Sequence, residues 1–315
     1  MKPFLAQISK LSFLTLVFIS PLVIANHLSS PKVISLKETL TPAIAYHSQN
    51  QLTNQNPTNK NKTKFAVLLA QNPQPKVLGT ETTKDEEKEE KTESSQTTGT
   101  YTIALLGDSM IDVMQPDLPQ LEAALKKYYP QAQFKLLNYG VGASNIEYGL
   151  TRLTKKYTYL GREFPALLSQ NPNIIVIESF AYNHWDNNQT GLDRQWLALG
   201  GIIQTIKNQS QTKIVLAATI APNENTLCNG IDGINLPPDQ KKEKAQTIKK
   251  YLNNLINFAN SQNYPLADAY HPSLNENENG QAIYINEGDH LHPSGPGGEL
   301  FAEKIAEAIF KNKLL

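Results

Sequence analysis

One cysteine, Cys228, stands in a chain of 315 residues. That excludes an internal disulfide framework and a cysteine-built zinc site, and Cys228 reads as a buried apolar residue rather than a reactive thiol. Arginine is almost as scarce. Arg152, Arg162 and Arg194 form no cluster, and 29 basic residues balance 29 acidic ones. No basic stripe is present for a polyanion, so no nucleic-acid partner is expected. Long apolar runs are also few. The longest, Leu11 to Ile24, contains Pro21 and falls short of the ~20 residues needed to span a bilayer.

That run follows Lys2 and Lys10 and ends in Val23-Ile-Ala25. A charged start, an apolar middle and a small residue at the end make residues 1–25 a signal peptide, with an uncleaved N-terminal anchor as the alternative. Either way the remainder is exported, to an extracellular, periplasmic or cell-surface setting. It would touch a membrane only through the anchor. Residues 26–99 then offer little to bury. Gln49 to Lys64 is largely Asn, Gln, Thr and Lys, and Lys84-Asp-Glu-Glu-Lys-Glu-Glu-Lys91 is a solvated charge run. Such composition cannot offset the entropy of ordering, so this segment is expected to be a disordered linker.

The texture changes at residue 100. Apolar runs of strand length (Thr102–Leu106, Phe134–Asn138, Ile174–Glu178, Lys213–Thr219 and Pro265–Asp268) alternate with helix-period segments. The spacing predicts helices after Asp117, over about 146–157, 193–208 and 241–261, and from about Gly297 to Asn312. Alternation of this kind implies βαβ units and a parallel sheet. Residues 100–315 are therefore expected to form one α/β domain, a three-layer α/β/α sandwich around five parallel strands.

Open parallel sheets bind ligands beyond the carboxyl ends of their strands. Polar residues collect at those ends: Gly107-Asp-Ser109, then Asn138-Tyr-Gly-Val-Gly-Ala-Ser-Asn145, then Ser179-Phe-Ala-Tyr-Asn-His-Trp185, and Gly288-Asp-His-Leu-His-Pro-Ser294 before the last helix. Serine needs an adjacent base to act as a nucleophile. His292 supplies one for Ser109. Asp289, three residues earlier, is spaced to hold the imidazole in the required tautomer. Backbone amides at Ser109 and around Gly142, with the Asn183 side chain, are candidate donors to a developing oxyanion. Trp185 is a candidate substrate-binding residue. Asp108 is assigned only to shaping its turn, and His271 has no evident partner. A metal at Asp289, His290 and His292 would leave the glycine-bearing stretches without a purpose, so neither metal nor cofactor is expected.

In series, Gly107-Asp108-Ser109, Asn138-Tyr-Gly-Val-Gly142, Ala181-Tyr-Asn183 and Asp289-His-Leu-His292-Pro293 resemble the four blocks of the SGNH, or GDSL-type, hydrolases. The resemblance implies a flavodoxin-like sheet. It makes Ser109 the nucleophile, Asp289 and His292 the other triad members, and Ser109, Gly142 and Asn183 the oxyanion donors. Ala181 stands where the family has glycine, and His184 where aspartate is common. The second block also aligns one residue later, which places Ala143 at the donor position. The expected activity is that of an exported serine esterase on acyl esters, such as an O-acetylated glycan. An O-acyltransferase with the same residues, or a non-catalytic glycan-binding domain, is the alternative.

Overall fold

The computed structural model describes residues 95–315. The expected signal peptide, and the expected linker up to residue 94, lie outside the described residues. From Gly99 the chain alternates as expected. Strand β1 (Gly99–Gly107) leads into a single helical turn, α1 (Ser109–Asp112), then helix α2 (Pro119–Tyr128), β2 (Ala132–Gly140) and α3 (Ile146–Thr154). A small hairpin follows, β3 (Tyr157–Tyr159) and β4 (Arg162–Phe164). After it come β5 (Ile174–Glu178), α4 (Gln189–Gln209), β6 (Lys213–Ala218), α5 (Pro238–Ser261), β7 (Leu266–Asp268) and α6 (Gly295–Lys311).

Five strands form one parallel sheet in the order β2-β1-β5-β6-β7. This is the flavodoxin-like arrangement. Its central strands are apolar on both sides because helices cover both faces. Alternate residues diverge as a two-residue period requires. Ala104, Leu106, Ile175, Ile177 and Leu216 join Leu153, Leu199, Ile202 and Leu252 on the α3–α4–α5 face. Ile103, Leu105, Ile174, Val176 and Val215 join Leu121, Leu125, Phe301 and Ile305 on the α2–α6 face.

The strand order reverses at β1: the chain goes first to β2 on one side, then to β5 on the other. In open α/β sheets such a reversal is where ligands bind, beyond the carboxyl end of the strand, here β1. Gly140 closes the approach there. A Cβ at that position would come within 2.2 Å of the Asp112 backbone nitrogen, so only glycine lets β2 lie against α1.

Boundaries differ from the sequence reading in a few places. Helix α2 is not capped by Asp117. Leu118, in the left-handed region at φ 49°, precedes Pro119, whose fixed φ suits the first helical position. Pro238 likewise starts α5 three residues before the expected Lys241. The helix expected to reach Tyr157 stops at Thr154. Leu160 (φ 47°) and Gly161 (φ 75°) instead turn the chain into the β3–β4 hairpin. Two consecutive positive φ values are the twist-matched way to join two antiparallel strands. Among the described residues no helix is long and apolar enough to cross a membrane.

Candidate active site

The four polar stretches meet at the carboxyl edge of the sheet. Asp108 and Ser109 follow β1 directly. Asp108 is fully buried. Its Oδ1 accepts from the Met110 amide (2.8 Å), and its Oδ2 accepts from Asn183 Nδ2 (2.9 Å). Asp108 thus reaches across from β1 to the turn after β5 and orients Asn183. Its place in the sequence implies only a local part in the turn. A buried carboxylate that anchors a distant side chain looks the same in sequence as any Gly-Asp-Ser turn. Burial raises the Asp108 pKa; the Met110 and Asn183 hydrogen bonds and the charge of His292 offset this only in part.

Asp289 and His292 come together as their spacing suggests. His292 Nδ1 lies 2.8 Å from Asp289 Oδ2, and Asp289 Oδ1 accepts from the amides of Leu291 (2.9 Å) and His292 (3.1 Å). The intervening His290 is left-handed, at φ 49°, which curls the segment back on itself. Burial alone would raise the Asp289 pKa. The hydrogen bonds from the His292 ring and these two amides outweigh it and hold the carboxyl below its ordinary value. His292 is nearly buried. It lies close enough that its protonated form would lower the pKa of both Asp108 and Asp112, which stand on either side of Ser109. The Asp289–His292 pair therefore lies near the turn that carries Ser109.

The oxyanion side is more particular. The Gly142 amide donates to Tyr159 Oη (3.0 Å), and Tyr159 in turn donates to Asp112 Oδ2 (2.7 Å). Ala143, next in the chain, is exposed and left-handed at φ 53°. Its amide has no hydrogen-bond partner among the described residues. Of the two alignments of this block, the later one supplies the available N–H. Asn183 contributes its side-chain amide, one hydrogen of which is committed to Asp108.

Beneath these groups lies Arg152, which is fully buried. Its guanidinium donates to the carbonyls of Tyr139 (2.6 Å) and Gly107 (2.9 Å) and to Ser144 Oγ (3.2 Å). The rings of Tyr148, Tyr157 and Phe180 surround it at 5.2–5.9 Å. Arg152 pins together the ends of β1 and β2, from which Ser109 and the Gly142–Ala143 turn project. Glu178, at the end of β5, is also fully buried. It accepts from Ser179 Oγ (2.5 Å) and the Phe180 amide (2.8 Å). Burial, and the nearby Asp108 carboxylate, push its pKa well up.

Other sequence candidates fall elsewhere. One face of Trp185 is covered by Arg194, whose guanidinium carbon lies 4.3 Å from the ring centre, and Glu147 holds that arginine through two hydrogen bonds of 2.6 and 2.7 Å. Only the remaining ring face is left to meet a substrate. His184 stacks on Tyr251 and shares a hydrogen bond between Nδ1 and the Trp185 carbonyl. Burial lowers its pKa. Cys228 is half-buried, with its thiol pKa pushed up by burial, and its amide donates to the His290 carbonyl (3.2 Å) behind the histidine turn. His271 does have a partner: its Nδ1 lies 2.6 Å from Asp268 Oδ2, on an exposed rim. Among the described residues, Asp289, His290 and His292 do not gather into a metal-holding group.

No family model matches the chain, and no curated protein matches it. Solved structures do. In structure the chain is similar to GDSL-like lipases and acylhydrolases. A GDSL-like lipase from Bacteroides thetaiotaomicron is 15% identical, with a TM-score of 0.47, over 67% of this chain and 89% of that one. A lipase/acylhydrolase from Enterococcus faecalis is 18% identical, with a TM-score of 0.48, over 67% and 96%. A catalytic mutant of an acetylxylan esterase from Geobacillus stearothermophilus is 15% identical, with a TM-score of 0.48, over 70% and 96%. The chemistry rests on the side chains described above, not on these likenesses.

Proposed function

We propose that the chain is a serine esterase of the SGNH type, acting on acyl esters through Ser109, His292 and Asp289. The observation that carries this is the 2.8 Å contact between His292 Nδ1 and Asp289 Oδ2, made by a buried histidine that lies near Asp108 and Asp112, on either side of Ser109. Fixed through Nδ1, the ring keeps Nε2 as the atom that takes the serine proton. Ser109 Oγ attacks the ester carbonyl. The tetrahedral oxyanion takes hydrogen bonds from the Ser109 and Ala143 amides and from the second hydrogen of Asn183 Nδ2. The alkoxide leaves with the proton from His292, and water activated by the same ring releases the acid from the acyl-enzyme. Apart from the ester and water, these steps use only groups of the chain itself.

Export is part of the same proposal, supported by the residue pattern of the first 25 positions. An O-acetylated extracellular glycan is the substrate class that such a setting favours. The test uses p-nitrophenyl acetate and a fluorophosphonate probe on the full chain. Wild type hydrolyses the ester and takes the probe on Ser109. Ser109→Ala does neither, with turnover lower by at least about 10,000-fold. A Ser109→Ala protein that keeps its activity would falsify the reading.

A further inference from the structure

The β3–β4 hairpin is a two-stranded piece with no place in the main sheet. Such a pair has little stability alone. It is held to the domain by aromatic packing, with Phe164 stacked on Tyr157 and Tyr139 edge-on to both. One polar bridge also ties it to the site. Tyr159 donates to Asp112 Oδ2 and accepts from the Gly142 amide. Asp112 ends the turn that Ser109 begins. The hydroxyl therefore joins the nucleophile's turn to the turn that carries the oxyanion amide.

That second turn is tied at every residue but one. The Val141 amide donates to the Gly107 carbonyl (3.2 Å), Gly142 to Tyr159, and Ser144 Oγ to the Val141 carbonyl (2.7 Å) while accepting from Arg152. Asn145 caps α3 by accepting from the Tyr148 amide. Ala143 alone is left exposed, in a left-handed conformation that residues with a Cβ rarely adopt. A strained backbone of this kind persists only where its surroundings over-determine it.

We propose that Tyr159 is a positioning residue for the esterase reaction. Its hydroxyl, fixed by Asp112, occupies the Gly142 amide and locks the turn so that the Ala143 amide is the one presented to the oxyanion. The hydroxyl is suited to this. Burial and the Asp112 hydrogen bond push its pKa up to about 12, so it keeps the proton it donates. Gly142 is suited too, since a Cβ there would stand 2.9 Å from Tyr159 Oη and displace it. This inference rests on the esterase reading above.

The test measures kcat and KM on p-nitrophenyl acetate for full-length wild type, Tyr159→Phe, Gly142→Ala and the double variant. Thermal melts and fluorophosphonate labelling of Ser109 are run alongside. Tyr159→Phe removes one oxygen and is expected to lower kcat about tenfold or more, with KM held within about twofold, because misaiming a donor weakens the transition state and not the ground state. Gly142→Ala lowers kcat similarly. The double variant falls little further, since both changes break the same contact. A kcat within about twofold of wild type in Tyr159→Phe overturns the inference. So does a rise in kcat, which would make the hydroxyl a block on the site, or a loss confined to KM, which would make it a substrate contact. Should Tyr159→Phe fail to fold, Gly142→Ala carries the test by displacing the hydroxyl without removing it. Absence of Ser109 labelling in wild type overturns the esterase reading and this inference together. Labelling with an unaffected Tyr159→Phe overturns this inference alone.

Discussion

Replacing Arg152 with methionine removes a fully buried charge while keeping a long side chain. In the native protein the guanidinium gives two short hydrogen bonds to backbone carbonyls, at 2.6 and 2.9 Å, and a longer one to Ser144 Oγ. Arg152→Met removes both charge-assisted bonds, although the Gly107 carbonyl still accepts from the Val141 amide at 3.2 Å. A hydrogen bond from a charged donor is worth about 1.5–3 kcal/mol, so the two together cost about 3–6 kcal/mol. Ser144 Oγ still has the Val141 carbonyl to donate to and adds little. Against this, methionine no longer has a charge to desolvate, a gain of several kcal/mol in the opposite direction. Methionine keeps sulfur contacts with the aromatic walls but loses the cation–π component, worth about 0.5–2 kcal/mol. The net expectation is a destabilisation of about 2–4 kcal/mol, a large share of the stability of an ordinary domain. Urea unfolding reads this as a lower midpoint with an unchanged slope. Arg152→Lys keeps the charge as a single point that cannot fork to both carbonyls, so it should fall between methionine and wild type. Both variants should also lose turnover, because the two carbonyls belong to the strand ends that carry Ser109 and the Ala143 turn. An Arg152→Met protein with wild-type midpoint and wild-type turnover would refute the claim that this residue pins the site.

Two further outcomes follow from Asp289 and Glu178. Asp289→Asn keeps the oxygen that accepts from Leu291 and His292 but turns an amide N–H₂ toward His292 Nδ1. The ring is forced into the tautomer with its proton on Nε2, where it cannot act as base, and turnover should drop about 10,000-fold with KM little changed. In the folded state the Asp289 carboxyl is held below its ordinary value and Glu178 well above its own. The signs are opposite: Asp289 adds stability that is present above the ordinary carboxylate range and lost as pH falls through its folded pKa. The contribution of Glu178 is most favourable at low pH and declines as pH rises from its ordinary value of 4.5 toward its folded one. Glu178→Gln should therefore flatten the decline in stability above pH ~4.5, measured as urea midpoints across a pH series. A slope equal to wild type there would count against ionisation of Glu178 as its cause.

Much of the domain was legible from residue order because its signals are local. Five apolar runs with helical segments between them imply a parallel sheet, and a parallel sheet places its loops at one edge. Asp289 and His292 were legible for the same reason, since three residues of separation suffice to bring them together. The hairpin at Tyr157–Phe164 carried a usable signal, alternating aromatics around Leu160-Gly161, yet was overrun by the extension of the preceding helix.

What residue order could not give is which amides are already in use. Gly142 and Ala143 are equally good donors on paper. Only Tyr159, 17 residues away in sequence, decides between them, through a contact that exists once the hairpin folds over α1. Asp108 gains its hold on Asn183 across 75 residues, and Arg152 its hold on Gly107 across 45. Sequence by itself therefore determined the sheet, its reactive edge and the acid–histidine pair, all set by short-range spacing. Tertiary structure alone decided how the nucleophile's turn, the oxyanion turn and Asn183 are held in place, because buried polar groups must find partners wherever the packed chain brings them.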